Sequence, residues 1–133
     1  MLNIVLANTY VLASKYQHYH WNVKGPNFKP LHDFFGEQYH ALSEQIDDLA
    51  ERIRALDKPV DGSLTTYIKD ATISLNVDSN IFESLLKDYD DLIGHLKKAA
   101  GAAGEDLATQ DLLVEHLRAH EKTRWMIRAH LIV

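Results

Sequence analysis

Four stretches of this chain carry apolar side chains at steps of three and four, the period of an amphipathic helix. The first stripe is Leu2, Val5, Leu6, Thr9, Leu12, Tyr16, Tyr19 and Val23. It stops at Gly25-Pro26-Asn27, because proline cannot continue a helix but suits the first turn of the next one. The second stripe is Leu31, Phe35, Tyr39, Leu42, Ile46, Leu49, Ile53 and Leu56, ended by Lys58-Pro59 and Asp61-Gly62. Residues 57–77 then form a long connection, in which Ser63 is placed to cap a short helix reaching Lys69. A third helix is predicted from Ser79 to Ala100, with Asn80 and Glu83 as a capping box. It carries Ile81, Leu85, Tyr89, Leu92 and Leu96 inward, and Gly101 and Gly104 break it. A fourth helix follows from Asp106 to the end, with Leu113, Leu117, Ile127 and Leu131 inward. No stretch alternates as a strand does.

The connection lengths set the topology. Tight turns join the first helix to the second and the third to the fourth, so each pair is antiparallel. The middle connection is long enough to run back along the bundle. The expected fold is therefore all-α: a ferritin-like four-helix bundle with one long crossover carrying a short helix. At 133 residues it is a single domain, 1–133, with enough chain for a real core.

Composition narrows the function. There is no cysteine, which excludes disulfides and thiolate metal sites and fits a reducing compartment. The formal charge is −5, from 19 acidic and 14 basic residues, a balance that favours cations over phosphate backbones. Lys97-Lys98 is only a pair and reads as a solvated helix end. Met1 to Ser14 is apolar but lacks the basic start of a signal peptide, and Asn3, Asn8 and Thr9 interrupt it. No run reaches membrane-spanning length. A soluble, cytoplasmic protein without a membrane partner is expected.

The candidate chemistry lies around the first turn. His20 stands about one turn before the Gly25-Pro26 break and His32 about one turn after it, so a helical hairpin sets them face to face. Asp47 and Glu51, spaced i,i+4, share one face of the second helix. Imidazole with carboxylate suits iron, zinc or manganese. However, His32 and Asp47 are separated by roughly 22 Å along one helix at its ordinary rise per residue. A single metal held by all four residues must take Asp47 and Glu51 from a second copy. A two-fold axis near residues 40–41 achieves this and creates two equivalent sites. The competing reading is of surface carboxylates and interface histidines.

The segment His20-Trp21-Asn22-Val23-Lys24-Gly25-Pro26-Asn27-Phe28, then Leu31-His32, then Asp47-Asp48-Leu49-Ala50-Glu51-Arg52-Ile53 closely resembles the Dps family of mini-ferritins. His120-Glu121-Lys122-Thr123-Arg124-Trp125-Met126 resembles the family's last helix. The resemblance spans nearly the whole chain. It implies a dodecameric shell, built from two-fold dimers, that oxidises Fe(II) with hydrogen peroxide or oxygen and stores ferric mineral. It also implies a ferroxidase centre between subunits, with His20 and His32 from one chain and Asp47 and Glu51 from its mate. Zinc in place of iron is the other metal considered. Trp21, beside His20, would be an electron donor near the metal or a core or interface anchor. Lys24 would pair with an acidic ligand across the dimer or remain solvated. DNA binding is disfavoured, because relatives that bind DNA commonly use a lysine-rich tail and this chain is net negative.

One position departs from the family. The resemblance places an acidic ligand one turn after the second histidine, where this chain has Gly36. Three explanations suit it: Glu37 substitutes, although rotated by about 100°; a small residue is needed against about residue 45 of the mate; or the second metal subsite is weak. The third is preferred, and it predicts one firmly bound iron per site. It also leaves open a metal-sequestering shell with impaired ferroxidase activity. Glu37 and His40 make one Glu-x-x-His motif without the partner motif that an intrachain di-iron site requires. His18, His95, His116, His120 and His130 form no defensible ligand set. His116 and His120, spaced i,i+4, could bind a surface metal, but an interface or solvated role is expected of them. Asp111 and Glu115 read first as favourable charges near a helix N-terminus; the resemblance implies, as the other reading, acidic residues lining three-fold pores that draw cations inward.

Overall fold

The computed structural model describes residues 1–131. Its elements are α1 (Leu2–Asn22), α2 (Phe28–Ala55), the short α3 (Leu64–Asp70), α4 (Ile81–Ala103) and α5 (Leu107–Ala129). The hydrophobic stripes account for the core. Val5, Leu6, Leu12, Tyr16 and Tyr19 of α1 pack with Phe35, Leu42, Leu49 and Ile53 of α2, and with Leu85, Tyr89, Leu92 and Leu96 of α4. From α5, Leu113 and Ile127 complete it. Gly25 adopts φ +101° between α1 and α2, and Gly104 adopts φ +56° between α4 and α5. Both values lie in the left-handed region that glycine enters without steric cost.

The crossover is clamped to α1 by three of its buried polar side chains. Asn8, fully buried, donates to Thr72 Oγ1 at 2.9 Å and accepts from the Thr72 and Ile73 amides at 2.7 and 3.2 Å. Two turns on, Lys15 Nζ donates to Asp88 of α4 at 2.5 Å and to the Ser74 carbonyl at 3.2 Å. The Tyr19 hydroxyl accepts from the Asp78 amide at 3.2 Å. Residues 72 to 78 thus run alongside α1 in its own direction, from its residue 8 to its residue 19. That is about 16 Å of helix, a span that seven extended residues cover. The chain therefore goes up α1, down α2, up the crossover, down α4 and up α5, the topology expected of the bundle.

Local expectations fared unevenly. Ser63 does cap α3, its hydroxyl accepting from the Thr66 amide at 3.3 Å, and Asp106 caps α5 through the Thr109 amide at 3.2 Å. Gly101 does not break α4, which continues to Ala103. A helix-interior glycine costs only about 1 kcal/mol, and the buried Ala99 and Ala100 hold this turn in place. Nor does Asn80 form a capping box: its side chain makes no cap bond, and its amide instead donates to Asp78 Oδ1 at 2.8 Å.

Candidate metal centre

The α1–α2 hairpin brings His20 and His32 into direct contact. Their rings stack with centroids 3.8 Å apart and 13° between planes. Each ring is fixed by the other's backbone. His20 Nδ1 donates to the His32 carbonyl at 2.6 Å, and His32 Nδ1 donates to the His20 carbonyl at 2.7 Å. A carbonyl only accepts, so both Nδ1 atoms carry a proton, and in the neutral rings Nε2 is the nitrogen with the lone pair. Two pre-oriented nitrogen donors result, held by the kind of backbone hydrogen bond that fixes metal-binding histidines. Phe28 extends the stack, its ring 5.0 Å from that of His32.

Gly36 forms the other side of this stack. It is buried one turn beyond His32, and a β-carbon there would lie 2.8 Å from His20 Cε1 and 2.9 Å from His20 Nδ1. The His20 imidazole occupies the space that a side chain at position 36 would fill. The close approach that selects glycine is therefore within the chain, against His20. Glu37 points to solvent and stands outside the stack.

Asp47 and Glu51 lie elsewhere. α2 is one continuous helix from Phe28 to Ala55, so both carboxylates sit toward the end opposite His32. Both are exposed, and neither makes a hydrogen bond or ion pair among the described residues. No three His, Asp or Glu side chains of one chain converge on a metal-sized space among the described residues. One chain thus assembles the imidazole half of the predicted ligand set and leaves the carboxylate half exposed about 22 Å away.

Other expected residues were placed differently. Trp21 is 66 % exposed, so it is not a core anchor of its own chain, and Lys24 is exposed. His116 and His120 are not solvated: they are 3 % and 2 % exposed, turned inward from α5. Burial pushes His120 down to about 3 and also holds His116 below its ordinary value despite the nearby Asp48. The sequence reading missed the buried Lys15–Asp88 pair. Its only signal was a lysine on the inward side of the first stripe.

The ferritin-like domain model matches residues 1–132. A DNA protection during starvation protein of Brevibacillus brevis is 37 % identical, over 98 % of this chain and 92 % of its own length. The Dps structure from Vibrio cholerae, described as a member of a broad superfamily of ferritin-like diiron-carboxylate proteins, superposes with a TM-score of 0.93. It is 35 % identical, covering 98 % of this chain and 86 % of that one. Dps from Thermosynechococcus elongatus gives a TM-score of 0.95 at 30 % identity, over 99 % and 88 % of the two chains. Bundle and crossover thus define a ferritin-like protein, and the chain belongs to the Dps family within that class. Among the described residues, no helix is long and apolar enough to cross a membrane.

Proposed function

We propose that this chain is a mini-ferritin subunit that oxidises Fe(II), with hydrogen peroxide or oxygen as acceptor, and stores the ferric product inside a homo-oligomeric shell. The supporting observation is the His20/His32 pair, whose Nδ1 atoms are tied to backbone while both Nε2 atoms remain free. Asp47 and Glu51 of a two-fold mate complete the donor set. With α2 antiparallel to its copy about residues 40–41, residue 32 of one chain meets about residue 49 of the other. In the peroxide reaction two Fe(II) each give one electron. The peroxide O–O bond breaks, and with two protons its oxygens leave as two waters, so no hydroxyl radical is released. Trp21, exposed and next to His20 in the chain, would supply an electron when only one iron is bound. A dodecamer in the cytoplasm is the expected setting, and the net negative charge disfavours DNA as a partner.

The test is anaerobic Fe(II) titration of the assembled, metal-free protein, followed by peroxide addition. About one firmly held iron per chain, then fast peroxide-dependent oxidation, is expected. Binding without acceleration would leave a metal-sequestering shell instead. His20→Ala and Glu51→Ala should each lose tight binding while retaining helicity. Chains of the two variants, unfolded and reassembled together, should recover about a quarter of the sites, since half of random dimers are mixed and each mixed dimer holds one intact site. No recovery in the mixture would refute a centre shared between chains.

A further inference from the structure

α2 and α5 approach each other only loosely, and a polar seam fills the gap between them. Along most of it, donors meet acceptors. Thr123 Oγ1 donates to Gln38 Oε1 at 3.2 Å, and Arg52 Nε donates to Thr109 Oγ1 at 2.8 Å. Midway between, the pairing fails. Both ring nitrogens of His116 and the Gln45 Oε1 are buried without a hydrogen-bond partner among the described residues. Such orphans cost about 1–3 kcal/mol each, so a native chain seldom retains them without an occupant.

The spacing is compatible with one kind of occupant in particular. His116 Nε2 lies 3.5 Å from Asp48 Oδ2. That exceeds an N–H···O hydrogen bond, which spans about 2.7–3.2 Å. It is also too short for a bridging water, which would hold the two atoms about 4.5 Å apart with two ordinary hydrogen bonds at a tetrahedral angle. A tetrahedral cation with bonds of about 2.0–2.2 Å holds its nitrogen and oxygen ligands about 3.3–3.5 Å apart. Gln45 lies i,i−3 to Asp48 on α2, and its buried carbonyl oxygen, without a hydrogen-bond partner among the described residues, could serve as a third donor. Because burial keeps His116 neutral, its ring has a lone pair to give. Asp48 is half exposed, which opens the seam to solvent.

We propose that His116, Asp48 and Gln45 form an intrachain divalent-cation site of tetrahedral, zinc-like preference, separate from the His20/His32 pair, with its fourth position open to water. The site needs no second copy of the chain, so it stands or falls independently of the intersubunit centre.

The experiment uses Co(II) as the probe in assembled protein carrying both His20→Ala and Glu51→Ala. Saturable binding near one Co(II) per chain, with the strong visible bands of a tetrahedral ion and displacement by Zn(II), is expected. Asp48→Asn in that background should weaken binding at least tenfold, and His116→Phe should abolish it. Asp48→Asn changes a half-exposed side chain, so it keeps the test valid if His116→Phe fails to fold. Absence of saturable binding, octahedral spectra only, or affinity unchanged by Asp48→Asn would overturn the proposal.

Discussion

Replacing Gly36 with alanine tests the position where the family resemblance leads one to expect an acidic side chain and the chain has glycine. The new methyl group would sit 2.8 Å from His20 Cε1 and 2.9 Å from Nδ1, too close for either atom to stay. The backbone there belongs to a continuous helix, so the imidazole moves. It leaves its stack on His32 and gives up the 2.6 Å bond from Nδ1 to the His32 carbonyl. Loss of a neutral hydrogen bond costs about 0.5–1.5 kcal/mol. The helix gains about 1 kcal/mol when alanine replaces glycine. The two effects nearly cancel, so the melting temperature should shift by no more than about 4 °C. Metal affinity has no such compensation. Freeing a ligand histidine from its orienting partner typically costs 10–100-fold, or about 1.4–2.8 kcal/mol. Anaerobic Fe(II) titration and a thermal melt on the same preparation separate the two readouts. Unchanged affinity in Gly36→Ala, or a fall in melting temperature of about 10 °C, would refute the view that glycine is here to admit His20. Gly36→Asp, which restores the acidic residue of the family pattern, should show the same ring displacement and should not bind iron more tightly than the parent chain.

Two further outcomes follow from buried charge. Lys15 and Asp88 are 2 % and 4 % exposed, so Lys15→Met should strand the carboxylate and cost about 3–5 kcal/mol in urea unfolding, whereas Lys15→Met with Asp88→Leu should recover most of that loss; equal stabilities for the single and double variants would rule out a buried ion pair. His120 is pushed down to about 3, while the unfolded chain binds this proton near 6.5, so its contribution is fully present above about pH 6.5 and is lost as pH falls toward 3. His116 is shifted in the same direction. Stability measured between pH 7 and 5 should therefore drop by up to about 1.4 kcal/mol per pH unit per histidine, and His120→Phe should flatten that slope; an identical slope in the variant would show that the proton is taken up elsewhere.

Much of this architecture could be read from the sequence because helix period, proline placement and connection length act locally. The stripes of α1, α2 and α4 mark their buried faces, and Ser63 marks the start of α3. Departures arose where tertiary contacts outweigh local preference. Gly101 stays helical because its neighbours pack, and Asn80 yields its amide to Asp78. Lys15 and Asp88 meet across 73 positions, a pairing that periodicity cannot express. His116 and His120 were misplaced because histidine fits either face of a helix, and only the loose approach of α2 to α5 makes room for a buried polar seam. At the candidate centre the hairpin contact was legible from proline and spacing. The reason for Gly36 was not, since it depends on where one ring lies.

The histidine pair also bears on how few residues such a centre needs for its support. Metal-binding histidines usually donate their other ring N–H to a carboxylate, a backbone carbonyl or a water. Here each imidazole is oriented by the backbone carbonyl of the other residue, so the two histidines themselves complete the arrangement. What remains to be specified is the hairpin that sets residues 20 and 32 opposite each other, and a residue at 36 that leaves room for a ring. The first requirement falls on Gly25, whose φ of +101° closes the turn, and the second on Gly36. Two glycines, one chosen for its backbone and one for its missing side chain, thus do what neighbouring carboxylates do elsewhere. Asp47 and Glu51 touch neither histidine of their own chain, and under the proposed two-fold pairing they would serve a partner chain.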